Sequence, residues 1–113
     1  MKYMFLLYGP EMSGPENWSE EDIKPWTAFQ EEVERRNTHV FSAPLHPSNT
    51  ATTVRVRDGK TLTTDGPFAE TKEVLGGIYV LDCKDLDEAL ELAAMIPGSA
   101  YGSTEVRPVV EMG

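Results

Sequence analysis

The chain has 113 residues, nineteen acidic and ten basic, for a formal net charge of −9. That length supports one domain, residues 1–113, whose exposed share of surface is large enough to favour association with a copy of itself. The charge argues against nucleic-acid and membrane partners, while the single cysteine, Cys83, excludes an internal disulfide and fits a reducing, cytoplasmic compartment.

In chain order, residues 2 to 8 are apolar on both alternating sets, Tyr3/Phe5/Leu7 and Met4/Leu6/Tyr8, which predicts a central strand covered on both faces. The run is too short to span a membrane, and Gly9-Pro10 follows where a leader would need a small-residue cleavage site. Residues 9 to 17 read as a loop. Ser19 with Asp22 resembles a capping box, with Trp18 placed to pack on Ile23 as a staple, so a helix begins there. Pro25 either kinks that helix or opens its main body. Beyond it Trp26, Phe29 and Val33 share one face, leaving Glu31, Glu32, Glu34, Arg35 and Arg36 as a solvated one.

Residues 40 to 45 predict a short strand that Pro44 and Pro47 interrupt. Residues 51 to 57 alternate cleanly, Asp58-Gly59 is a two-residue hairpin signal, and residues 60 to 64 return antiparallel. Residues 77 to 83 form a second strand apolar on both faces. Asp85 and Glu88 cap a second helix with Leu86, Ala89, Leu90 and Ala93 on its inner stripe, ending before Pro97-Gly98. Residues 104 to 110 close the chain as a strand with Arg107 and an internal Pro108, the mark of an edge or a bulge. The order gives an α+β fold with a βαββαβ core and an added β-hairpin. Two helices cover one sheet face, so the two doubly apolar strands predict a homodimer that buries the other.

The densest chemistry lies in Asp65-Gly-Pro-Phe-Ala-Glu-Thr-Lys-Glu73. Gly66-Pro67 predicts a restricted turn, and Asp65 can cap nearby amides. The motif either closes a turn and nothing more, or it points Asp65, Glu70 and Lys72 into a pocket. There they are the candidates for acid/base catalysis and, with Tyr8, Phe68 and Arg107, for binding a small polar or anionic molecule. Glu70 and Lys72, two apart, share a face if the segment is extended. Arg107 is the cation able to fork onto Asp65 or an anionic ligand, against the commoner fate of a surface ion pair with Glu105. Tyr8 and Tyr101 can each line a cleft. His39 and His46 lack any metal-ligand spacing, so no metal is expected, and without a P-loop, a GxSxG or a dinucleotide fingerprint no cofactor is either.

The motif DGPFAETKE, with TATTVRVRDGKTL before it and EVRPV after it, resembles the DGPF branch of the YCII-related domain family, over nearly the whole chain from Lys2 to Val110. The resemblance implies a ferredoxin-like antiparallel sheet with two helices on one face, assembled as a dimeric α+β barrel. It also implies association with sigma-factor-linked transcription, hence a possible regulatory protein partner. Relatives in the wider family carry a His on the first helix and an Asp after the second; here those regions read Lys24-Pro-Trp-Thr-Ala-Phe29 and Ala94-Met-Ile-Pro-Gly98, so that pair does not carry over.

Overall fold

The computed structural model describes residues 1–112. Six strands and two α-helices follow in the order β1 (Lys2–Gly9), α1 (Glu20–Arg35), β2 (His39–Pro44), β3 (Thr52–Arg57), β4 (Lys60–Asp65), β5 (Val74–Asp82), α2 (Leu86–Met95) and β6 (Ser103–Pro108). Strands β2, β5, β1 and β6 form one antiparallel sheet in that order, the arrangement of a ferredoxin-like fold. The hairpin β3–β4 is inserted between β2 and β5 and makes a two-stranded sheet of its own.

Local chemistry explains most of these limits. Ser19 accepts from the Asp22 backbone N–H, and the Asp22 carboxylate accepts from the Ser19 N–H, so both partners of a capping box are in place and three acidic side chains occupy the first helical turn. The helix then runs through Pro25 as one continuous element. Ahead of the helix the Trp18 indole N–H donates to the Ser13 carbonyl at 3.0 Å. Asp85 caps α2 by accepting from the Glu88 N–H, while Glu88 reaches back to the Lys84 N–H, one residue outside a strict capping box.

The core is one layer between sheet and helices: Tyr3 and Phe5 of β1, Tyr79 and Leu81 of β5, Phe29 and Val33 of α1, and Ala89, Leu92 and Ala93 of α2, with Cys83 and Ile96. The expected inner stripe of α2 is therefore rotated. Leu86 and Leu90 are about half exposed, whereas Leu92 and Ile96 are buried, because Ala89 and Ala93 belong to both possible stripes and only the sheet decides which flank turns inward. Glu32 and Arg36 also depart from the expected solvated face. The Arg36 guanidinium meets Glu32 at 2.7 Å, Glu88 at 3.5 Å and Glu91 at 2.6 Å, clamping the end of α1 to α2.

Among the described residues, no helix covers the opposite sheet face. Register places Phe41, Val80, Met4 and Arg107 in one row across the four strands, and Ala43, Ile78, Leu6 and Glu105 in the next. Over these two rows the face is apolar except along the β6 edge, and Lys2 opposite Asp82 ends it with charge. The hairpin does not fold back over the molecule: Val54, Val56 and Leu62 are all at least half exposed. A radius of gyration of 15.9 Å, against about 13 Å for a compact chain of this length, reflects the projecting ribbon.

Candidate functional site

A cavity of about 430 Å³ lies where β1 ends and β5 begins, under the N-terminal half of α1. That is a volume suited to a small organic ligand. Its walls come from five separated stretches: Leu7 to Ser13, α1 from Trp18 to Gln30, Ser42 to Ser48, Val74 to Tyr79, and Gly98 with Tyr101. Trp18 and Trp26, the two tryptophans of the chain, both line it, joined by Ile23, Leu45 and Leu75.

Each wall is held by a specific contact. The Glu11 carboxylate accepts from the Ser48 backbone N–H at 2.9 Å and from the Ser48 hydroxyl, tying the loop after β1 to the loop after β2 across the rim. These bonds hold the Glu11 carboxyl below its ordinary value. Gly102 sits so close beneath the end of β1 that a Cβ there would lie 2.2 Å from the Tyr8 carbonyl oxygen and 2.9 Å from the Gly9 Cα. Gly98 leaves room for the Trp26 ring, whose Cη2 would be 3.5 Å from an added Cβ. The short 3-10 turn Pro97–Ala100 thus brings backbone against both walls.

Polar groups at the sheet side form a chain. The Tyr79 hydroxyl donates to Gln30 Oε1 at 3.3 Å, Gln30 Nε2 donates to Glu34 at 3.0 Å, and Ser42 Oγ lies 2.9 Å from His39 Nε2. Tyr79 packs edge-on to Phe29, with ring centroids 5.2 Å apart, and its burial pushes the phenol above the ordinary value while a hydrogen bond with Ser42 pulls the other way. Of these groups Ser42, Gln30 and Tyr79 line the cavity, carry no formal charge near pH 7 and offer both donors and acceptors. The formal charges on the lining are the carboxylates of Glu11 and Asp22, both engaged in structural hydrogen bonds; no lysine or arginine lines it.

Of the residues weighed for chemistry from sequence, Tyr8, His46 and Tyr101 line this cavity, and His39, Asp65, Phe68, Glu70, Lys72 and Arg107 do not. Asp65 is the exposed last residue of β4, at the base of the hairpin. Residues 66–73 are a bent loop rather than an extended segment, so the shared face expected for Glu70 and Lys72 does not follow; both are exposed, as is Phe68, at 78%. Gly66 has φ +95°, its N–H donates to the Ala51 carbonyl, and its own carbonyl accepts from the Thr53 hydroxyl, so the motif closes the hairpin.

Arg107 is far from that loop. It pairs in register with Met4 and sits in the row of Val80, six residues along β5 from Val74, where the loop enters; at strand rise that is roughly 20 Å. Its guanidinium meets Glu105, and among the described residues no ion pair joins it to Asp65 or Glu70. The proposed meeting of Arg107 with the Asp65 loop at one rim is thereby corrected: the two lie at opposite ends of the sheet. Among the described residues, no group of three or more His, Cys, Asp or Glu could hold a metal ion, and no helix is long and apolar enough to cross a membrane.

Sequence reading missed Trp18, Trp26, Gln30, Ser42 and Tyr79 as a site because each reads as packing or as ordinary polar surface. The available signal was the placement of both tryptophans within nine residues around one helix start. An uncharacterized protein of Rhizobium meliloti (strain 1021) is 39% identical over 115 residues, covering 96% of this chain and 92% of that protein. A family profile for the YCII-related domain matches residues 1–113, and the chain belongs to that family.

Proposed function

We propose that the protein binds a small, largely apolar and uncharged molecule, with its ring or chain between Trp18 and Trp26 and one hydrogen-bonding group turned to Ser42, Tyr79 and Gln30. The observation that carries this reading is the composition of the cavity: aromatic and aliphatic walls, the uncharged cluster of Ser42, Tyr79 and Gln30, one histidine, His46, two carboxylates and no lysine or arginine. An anion placed there would meet the Glu11 and Asp22 carboxylates with no lysine or arginine to pair with and would lose part of its hydration, a combination that disfavours binding. The ligand class is thus shifted from the polar or anionic molecule expected on the motif.

Both tryptophans line the cavity, so intrinsic fluorescence reports on it directly. Titration with 1-naphthol, uncharged at pH 7, should change that fluorescence at concentrations at least about tenfold lower than 1-naphthoate. Trp26→Ala should weaken the neutral probe by about tenfold or more, and Lys72→Ala should leave it unaltered. Tighter binding of the naphthoate, or equal losses in both variants, would return the site to the Asp65 loop.

A second observation favours a homodimer. Phe41, Met4, Leu6, Ile78 and Val80 make an apolar sheet face with no helix over it, and a copy of the same face is self-complementary under two-fold symmetry. Multi-angle light scattering should give twice the chain mass at micromolar concentration; a monomer mass throughout would sink this assembly.

A further inference from the structure

Among the described residues, the ribbon β3–β4 pairs with no strand of the main sheet. It pairs only with itself, every residue in it but Thr53 is exposed, and an isolated two-stranded hairpin is marginal in water. Its two faces differ in kind. Val54 lies opposite Thr63, and Val56 opposite Thr61, so one face is valine and threonine with a charge only at its base, Asp65 opposite Thr52. On the other face Arg55 lies opposite Leu62 and Arg57 opposite Lys60, which gathers all three cations of the ribbon. Residues 52–64 carry a formal net charge of +2, and the rest of the chain −11. A basic arm therefore projects from a strongly acidic body.

The same chain offers a surface that lacks cover. The four-stranded sheet exposes its apolar face, and at the β2 edge Phe41 is 51% exposed. Six residues along four strands present roughly 400 Å² of such a face. A stable interface buries about 800 Å² per partner, so sheet against sheet alone falls short. One face of the ribbon adds roughly 200 Å² on each side. Because a two-fold dimer uses each surface twice, a ribbon and a sheet face on one chain can serve each other in two copies.

We propose that β3–β4 is a dimerisation arm that lays its Val54/Val56 face against the sheet of a second copy beside Phe41. Arg55, Arg57 and Lys60 remain in solvent on the outer face, where their charge draws the arm toward the partner's acidic body and lowers the repulsion between two anionic chains. This inference rests on the homodimer proposed above and adds the element that completes it.

Two substitutions with the same charge change on opposite faces of the ribbon test it. Val56→Asp should weaken self-association in sedimentation equilibrium by about tenfold or more, and Leu62→Asp by no more than about threefold. Circular dichroism and tryptophan fluorescence should be unchanged in both, since the ribbon lies outside the core. A dimeric wild type that both variants leave intact, or weaken equally, overturns the arm while the sheet-face dimer stands. A wild type that is monomeric at every concentration overturns both.

Discussion

The Asp65 loop and the cavity carry opposite kinds of information. The Asp65 loop is compact in sequence, rich in ionisable groups, and exposed in the fold. The cavity is assembled from five stretches, holds few charges, and encloses about 430 Å³. Reactive side chains near one another along the chain do not make a site unless backbone directs them into a shared volume. Here the backbone directs them to water, and Gly66 at φ +95° joins Ala51 and Thr53 in closing the hairpin. What encloses the cavity is instead a set of contacts made by residues with no reactive chemistry, Gly98 and Gly102 among them.

The contrast is most easily broken at Gly102. Gly102→Ala would set a methyl group against backbone on two sides, and neither the Tyr8 carbonyl nor the Gly9 Cα can move without shifting the β1 end. A loss of about 3 kcal/mol is expected in chemical unfolding, with altered tryptophan emission from the cavity. Stability within a few tenths of a kcal/mol of wild type would mean that this wall is compliant. On the loop side, Gly66→Val meets open space, so the expected penalty comes from φ alone, about 1 kcal/mol, and the tryptophan emission should stay as it was. If instead the emission shifts, the loop and the cavity are coupled.

A smaller effect separates core from surface by pH. Burial pushes the Cys83 thiol up to about 11, with Glu88 and Asp82 adding to the shift. A raised acid pKa in the folded state means that the unfolded chain loses its proton first. The associated stability is full below the ordinary thiol pKa and is lost as pH rises through that value toward 11. Unfolding midpoints should therefore fall across this alkaline range, and Cys83→Ala should flatten the slope. An unaltered slope in that variant would place the titration elsewhere.

Legibility followed the range of the interactions. The Ser19–Asp22 cap, the Asp58-Gly59 turn with φ of 53° and 75°, and the β1 strand were all readable because their determinants lie within a few residues. The βαββαβ order was readable too, since pattern and punctuation agree along the chain. The α2 stripe was misread because Ala89 and Ala93 satisfy two periodic solutions. Of the cavity only Tyr8 and Tyr101 were readable as cleft residues: Trp26, Ser42 and Tyr79 acquire a common environment only through the β2–β5 register, which no local pattern encodes. Arg107 failed as a partner of Asp65 for the same reason, because being on the same sheet leaves open which end of it a side chain occupies.

Both edges of the main sheet end in proline: Pro44 terminates β2 and Pro108 terminates β6. Without an amide hydrogen, each leaves one rung of its outer ladder without a donor. An incoming strand at either edge would therefore meet a ladder that breaks off, and stacking of sheets into open-ended fibres is impeded at both rims. A protein with an uncovered apolar sheet face stands at risk of polymerising. The two prolines act against growth without limit along its edges.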